Sequence, residues 1–293
     1  MTLIRRFASV FSLTMLVFAV TMVVPDTAAA QERNSMLPRV SPNASVSQSI
    51  GVTTVEVHYG RPAVRDRQVF GKLVPYGDVW RTGANEATVI AFSTPVQIEG
   101  ESLDAGMYSL FTVPGEEEWT FIFNDTVEQW GAYNYEESKD VLRVTTEPTT
   151  GPMHERLTFA FPSVTDSSAT LALMWDETRV PLEITVDTKE VIASRAASAV
   201  DAAENWQTPL QYAGYALQND ILIEEAIDWT DASLEIQETF PALAVKARLQ
   251  AKNGDYQSAI ESAERAVELA ENMEETPRGL EGLKNALEEW KAK

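Results

Sequence analysis

Residues 61–81 contain Arg61, Arg65, Arg67, Lys72 and Arg81 against only Asp66 and Asp78, a net charge of +3 (5 − 2). Residues 41–188, which enclose them, hold 9 basic and 22 acidic residues, a net of −13. A positive stretch inside so acidic a region needs a physical reason. One is anion recognition, because guanidinium groups bind carboxylate or phosphate through paired N–H donors. The other is internal pairing, with the arginines holding their own loop to carboxylates such as Glu86, Asp104 or Asp140. Partly buried pairs of that kind are the commoner device.

Neighbouring residues extend the candidate set. His58 has the opposite parity to Val55, Val57 and Tyr59, so it faces away from them, beside the arginine stretch. It reads either as a site histidine or as an ordinary surface one. His154 follows Gly151-Pro152-Met153 in what reads as a turn, and is the blander of the two histidines. Trp80, Trp130, Tyr133 and Tyr135 flank Gly/Asn loops. Exposed, they could stack on sugar rings; buried, they would pack the core or pin loops, as large aromatics mostly do. The candidate ligand-binding residues are His58, Arg61, Arg65, Arg67, Trp80, Arg81, Asn85, Glu86, Trp130 and Tyr133. A hydrolase reading centres on His58, Arg61, Arg81 and Glu86, and requires those four side chains to converge.

Other chemistry finds little support. Cysteine is absent and there are two histidines, which removes thiolate chemistry and makes a multi-histidine metal centre unexpected. No G-x-S-x-G elbow, H-E-x-x-H, P-loop or G-x-G-x-x-G occurs. With 22 acids in the region, no carboxylate pair stands out. No catalytic residue, metal or cofactor is assigned.

The elements that must position these residues follow from periodicity. Residues 58–86 have no period, four glycines before Asn85 and two prolines, and their aromatics argue for an ordered loop. Period-two patterns surround the loop: around Val55–Tyr59, Val89–Ile98, Tyr108–Val113, Trp119–Phe123, Val141–Thr145, Leu157–Phe161, Thr170–Trp175 and Val180–Val186. About nine short strands with no helix between them predict an antiparallel β-sandwich or a related barrel, the sandwich being the expected class. After Asp187 the period becomes helical. Asp187 and Glu190 have capping-box spacing, and helices are expected at about 206–218, 221–236, 240–253, 256–272 and 277–291, the last capped by Thr276-Pro277. The fold class is therefore mainly β plus α: a sandwich followed by a helical-repeat domain.

Residues 31–52 are polar and read as a linker leading into the first strand. The expected boundaries are a signal peptide at 1–30, a linker at 31–44, the sandwich at 45–187 and the helices at 188–293. Arg5-Arg6, the apolar run Phe7–Val24 and Ala28-Ala29-Ala30 carry the export reading. Loss of residues 1–30 would leave 21 basic and 43 acidic residues, a net of −22. That charge repels nucleic acid and anionic membrane surfaces, so neither is an expected partner. The protein is expected to be periplasmic or secreted.

Two resemblances add to this reading. Ala226-Ile227-Asp228 and Ala259-Ile260-Glu261 are offset by 33 residues, and Asn253-Gly254-Asp255-Tyr256 lies between small alanines. Residues 240–273 resemble a tetratricopeptide repeat, and residues 206–239 a degenerate copy without the Gly and Tyr. That implies either a short protein-binding groove or a helical appendage packed on the sheet domain. Tyr59-Gly-Arg-Pro62, Phe70-Gly71, Leu73-Val-Pro-Tyr-Gly77, Trp80-Arg-Thr-Gly-Ala-Asn-Glu-Ala-Thr88, Ala105-Gly-Met-Tyr-Ser-Leu110, Trp119 and Trp130-Gly131 resemble the exported bacterial domain of unknown function 2911 family over about 41–187. The resemblance implies a β-rich exported bacterial protein and no established activity. The expected function is a non-catalytic module for a small anionic or carbohydrate ligand or an envelope protein, with a possible protein partner at the helices. The alternatives are the hydrolase and a purely structural protein.

Overall fold

A computed structural model describes residues 37–127 and 129–293. The expected signal peptide and the first part of the linker lie outside the described residues. Among the described residues ten antiparallel strands form two sheets. In chain order they are β1 Asn43–Ile50, β2 Thr53–Gly60, β3 Thr88–Phe92, β4 Val96–Ile98, β5 Glu101–Leu103, β6 Gly106–Val113, β7 Trp119–Asn124, β8 Asp140–Thr146, β9 Thr149–Val164 and β10 Ser168–Thr185. The six-stranded sheet runs β1-β2-β3-β6-β7-β8, and the four-stranded sheet runs β5-β4-β10-β9.

Alternation explains how the sheets pack. Val55 and Val57 on β2, Ile90 on β3, Leu110 on β6 and Phe121 and Phe123 on β7 point inward from the larger sheet. Leu157, Phe159, Leu171, Leu173, Leu182 and Ile184 meet them from β9 and β10. All are essentially removed from water. Each such side chain contributes roughly 1.5–3 kcal/mol of burial free energy, which makes this shared core the main support of the sandwich.

Three strand readings change. Residues 43–50 are not linker but edge strand β1, paired along its length with β2. Its inward positions are Ala44, Val46, Gln48 and Ile50, and the small polar residues between them hide the period. His154 is not in a turn. It lies within β9, opposite Asp176 on β10. The segments 170–175 and 180–186 are one strand of 18 residues, bulged between Met174 and Asp176 and again between Asp176 and Thr178.

Six helices follow: α1 Thr188–Asp201, α2 Gln207–Asn219, α3 Ile223–Ile236, α4 Phe240–Lys252, α5 Tyr256–Glu271 and α6 Leu280–Lys291. The Asp187 carboxylate accepts the Glu190 N–H at 2.9 Å, so the expected cap starts α1. Ala247, Ala259, Ala263 and Ala266 are fully buried, which lets α4 and α5 approach closely. Gly254, at φ 87°, makes their tight turn. Where the degenerate copy lacks that glycine, Asp220 takes the left-handed conformation at φ 57°. The last helix differs from expectation. It begins at Leu280 behind Gly279, and Thr276-Pro277 precede it in the connection.

The helices join the sheet domain at α1. The Thr188 hydroxyl bonds to the Asp166 carbonyl at 3.3 Å, and Arg195 to the Val52 carbonyl at 3.2 Å. Among the described residues, hydrogen bonds from the sheets to the helices reach α1 alone. No helix among them is long and apolar enough to cross a membrane.

Candidate functional site

Two irregular segments interlock at one end of the sandwich. Gly60 ends β2 directly under Ala84; a Cβ at Gly60 would stand 2.1 Å from the Ala84 carbonyl oxygen. Only a glycine allows this backbone-to-backbone approach. The run from Trp80 to Thr88 is then tied down from within. The Trp80 backbone exchanges two hydrogen bonds with Thr112 on β6, at 2.7 and 2.9 Å. Its indole N–H donates to the Gly83 carbonyl at 3.2 Å. Thr82, buried at φ 55°, bonds through its hydroxyl to Thr112, and the Thr88 hydroxyl donates to the Thr82 carbonyl. The Trp80 ring stacks on Trp175 with centroids 5.9 Å apart and meets Phe70 and Trp119 edge-on.

This knot frames a cavity of about 270 Å³. Arg65, Arg67 and Arg81 line it, and among the described residues no acidic residue does. Trp80 and Trp175 contribute indole surface, and Val40 and Ser41 contribute a wall from the segment before β1. That segment is strapped in place. Arg39 bonds both Glu86 carboxylate oxygens at 2.8 and 2.7 Å, and the Asn85 amide donates to the Ser41 carbonyl at 3.1 Å. The Arg61 N–H also donates to the Pro42 carbonyl at 2.8 Å.

The loop cations are not ion-paired. No side-chain nitrogen of Arg61, Arg65, Arg67, Lys72 or Arg81 lies within 4.0 Å of a carboxylate oxygen among the described residues, and Arg65 meets Glu155 only through its backbone N–H, at 3.2 Å. Glu86 pairs with Arg39, and Asp140 with Arg143 and the Tyr135 hydroxyl. Internal pairing through these carboxylates is therefore corrected to pinning through carbonyls at two arginines. Arg61 bonds the Leu157 carbonyl at 2.9 Å and the Thr158 hydroxyl at 2.7 Å. Arg67 bonds the Val64 and Ala63 carbonyls at 2.9 and 2.6 Å. Arg65 is exposed at the rim.

Arg81 differs from all of these. It is half-buried, its Nε is shielded from water, and that Nε has no acceptor among the described residues. Burial lowers its pKa from the ordinary value, opposed only by the nearby Tyr133. A desolvated cation with no counter-charge is costly unless something anionic meets it. Backbone strain gathers here too: Arg65, Asp66, Thr82 and Asn85 are four of the eight non-glycine residues with positive φ among the described residues.

The remaining candidates scatter. Trp80 is core, not an exposed platform. His58 Nε2 lies 3.0 Å from a Glu56 oxygen without hydrogen-bond alignment, on the outer face of the larger sheet. His58 thus faces Glu56, Arg61 bonds Leu157 and Thr158, and Glu86 pairs with Arg39, so among the described residues no contact between the four supports the hydrolase reading. Asn85 and Glu86 serve as strap anchors. Trp130 and Tyr133 are exposed, at 58% and 83%, on a loop joined to Asn85 by the Gly131 N–H at 3.0 Å. Among the described residues no group of three acids or histidines could hold a metal ion. Sequence reasoning missed Trp175, Ser41 and Arg39. Trp175 read as plain strand core; Ser41 and Arg39 lay in a stretch taken for linker.

Residues 41–184 match the model of a family described as a protein of unknown function, DUF2911. The match spans the sheet domain, and the six helices continue beyond it. No curated protein and no solved structure matches the chain.

Proposed function

We propose that the sheet domain is a non-catalytic module that binds a small anion, a carboxylate or a phosphate, in the arginine-lined cavity. The observation that carries this reading is Arg81, a half-buried guanidinium whose Nε is shielded from water and which has no carboxylate partner among the described residues, in a domain rich in carboxylates. Arg65 and Arg67 add positive potential around the same cavity. A volume of about 270 Å³ suits a small metabolite, just below the range of drug-sized pockets. The leader-like N-terminus supports action outside the cytoplasm. The helical tail serves contact with a protein, a role supported by the hydrogen bonds between the sheet domain and the helices, which reach α1 alone among the described residues.

The test is a thermal-shift panel on purified protein with inorganic phosphate, sugar phosphates, carboxylates, uronic acids and neutral sugars. At least one anion class raises the melting temperature, neutral sugars do not, and Arg81→Gln removes the response. A shift common to neutral sugars, or one that survives in Arg81→Gln, overturns the reading.

A further inference from the structure

The anion-binding reading leaves the ligand's class open. The cavity carries more information than its charge. Trp175 lines it, is 1% exposed, and its indole N–H has no acceptor among the described residues. Trp80, stacked on it, has already given its N–H to Gly83. Of the three residues whose shielded Arg or Trp N–H lacks an acceptor among the described residues, Arg81, Trp175 and Arg179, the first two therefore line one small cavity. Both are pure donors, so what satisfies them must be an acceptor. β10 bulges between Met174 and Asp176, on either side of Trp175, with Asp176 at φ 56°. Bulges of this kind re-aim a side chain, and they gather beside binding sites.

The charge count narrows the class. Arg67 has committed Nε and one Nη to carbonyls, and Arg65 is exposed at the rim. One half-buried guanidinium remains with its shielded Nε unsatisfied and no carboxylate beside it, which matches one negative charge. A phosphate dianion calls for more donors than this wall offers. Apart from Ser41, the other lining side chains are apolar, with Val40, Pro62, Leu73, Val74 and two indoles among them. Half-exposed Leu73 lies at the rim.

We infer that the cavity is built for a small monocarboxylic acid with an apolar body: the carboxylate meets Arg81 and the Trp175 indole N–H, and the body lies on the indole and aliphatic wall. The inference rests on the anion-binding reading and goes one step further, to one charge and a hydrophobic remainder.

The indole N–H resonances of the seven tryptophans report on it directly. The purified protein is titrated with acetate, propionate, butyrate and inorganic phosphate, each followed by 15N-edited spectra. Trp175→Phe assigns the Trp175 peak; should that variant fail to fold, the contact with Trp80 assigns it in the wild type. The Trp175 peak moves downfield and saturably with the carboxylates. Affinity rises about fourfold with each added methylene. Arg81→Gln weakens butyrate binding at least tenfold. If phosphate binds tighter than butyrate, the monocarboxylate class is wrong while the anion site stands. If carboxylates bind at Arg81 and leave the Trp175 peak in place, the second donor is wrong. If no anion moves any peak and Arg81→Gln matches the wild type, the inference and the reading beneath it both fall.

Discussion

The Cα of Gly60 faces the carbonyl of Ala84 so closely that a methyl group there would sit 2.1 Å from the oxygen. The Tyr59–Pro62 and Trp80–Thr88 runs are thus two halves of one backbone contact. Gly60→Ala is expected to cost more than about 3 kcal/mol, because neither backbone can retreat. Gly282, on the exposed face of α6 with nothing within 4 Å, gives the opposite sign. Gly282→Ala is expected to add up to about 1 kcal/mol through helix propensity. Urea unfolding of both variants checks the contrast.

The clasp between Arg39 and Glu86 holds the segment that walls the cavity. Arg39→Ala should cost about 1–2 kcal/mol, since a part-buried, doubly bonded guanidinium is lost. Local release should exceed the global effect. Limited proteolysis between residues 37 and 42 is the measurement, with cleavage several-fold faster in the variant and the sandwich left intact. Equal cleavage rates would mean that Asn85 and the Arg61 N–H hold the strap without the ion pair.

Tyr135 donates its hydroxyl to the Asp140 carboxylate at 2.6 Å. Burial first, and then this bond and the Asp140 charge, push its pKa up to about 12. The neutral phenol is the stabilised form. Its contribution is therefore whole below the unfolded pKa of about 10 and fades as pH rises toward the folded value. Tyr135→Phe should be less stable than the wild type at pH 8, with the gap narrowing above pH ~10. Ultraviolet titration of the folded protein should lose its highest-titrating tyrosine in the same variant.

Asp255 caps α5 by accepting the Ser258 N–H at 3.0 Å, and its hydrogen bonds to Ser258 lower its pKa. A depressed carboxyl stabilises the fold above the unfolded pKa of about 3.9 and stops doing so as pH falls through the folded value. Asp255→Ala should lower the unfolding midpoint at pH 7 and match the wild type near pH 2. A difference that persists in acid would assign the cap to shape and not to charge.

How much of this was legible in the sequence varied with the physics behind each residue. The strands from Val55 to Phe123 announced themselves through alternating large apolar residues, and α1 through Asp187 and Glu190. Strand β1 did not, because its inward positions include Ala44 and Gln48, and an edge strand can be polar on one face. The break expected inside β10 was two bulges, which interrupt the pattern without ending the strand. Excess positive charge located the loop correctly. What each arginine does was not legible, since carbonyls accept from guanidinium as well as carboxylates do and leave no mark in composition. Arg81 stood out only once burial was known. Trp175 could not have been chosen from its type or spacing, because its interest lies in an N–H that lacks an acceptor.

The cavity takes one wall from Ser41 and another from Trp175, with the arginine loop between. The ribosome therefore releases nearly the whole sheet domain before any pocket can exist. Contacts so distant along the chain form late and slowly. A ligand of this pocket would then favour only the completed sandwich, and no partial product of synthesis or proteolysis would compete for it. Occupancy would be a readout of finished folding.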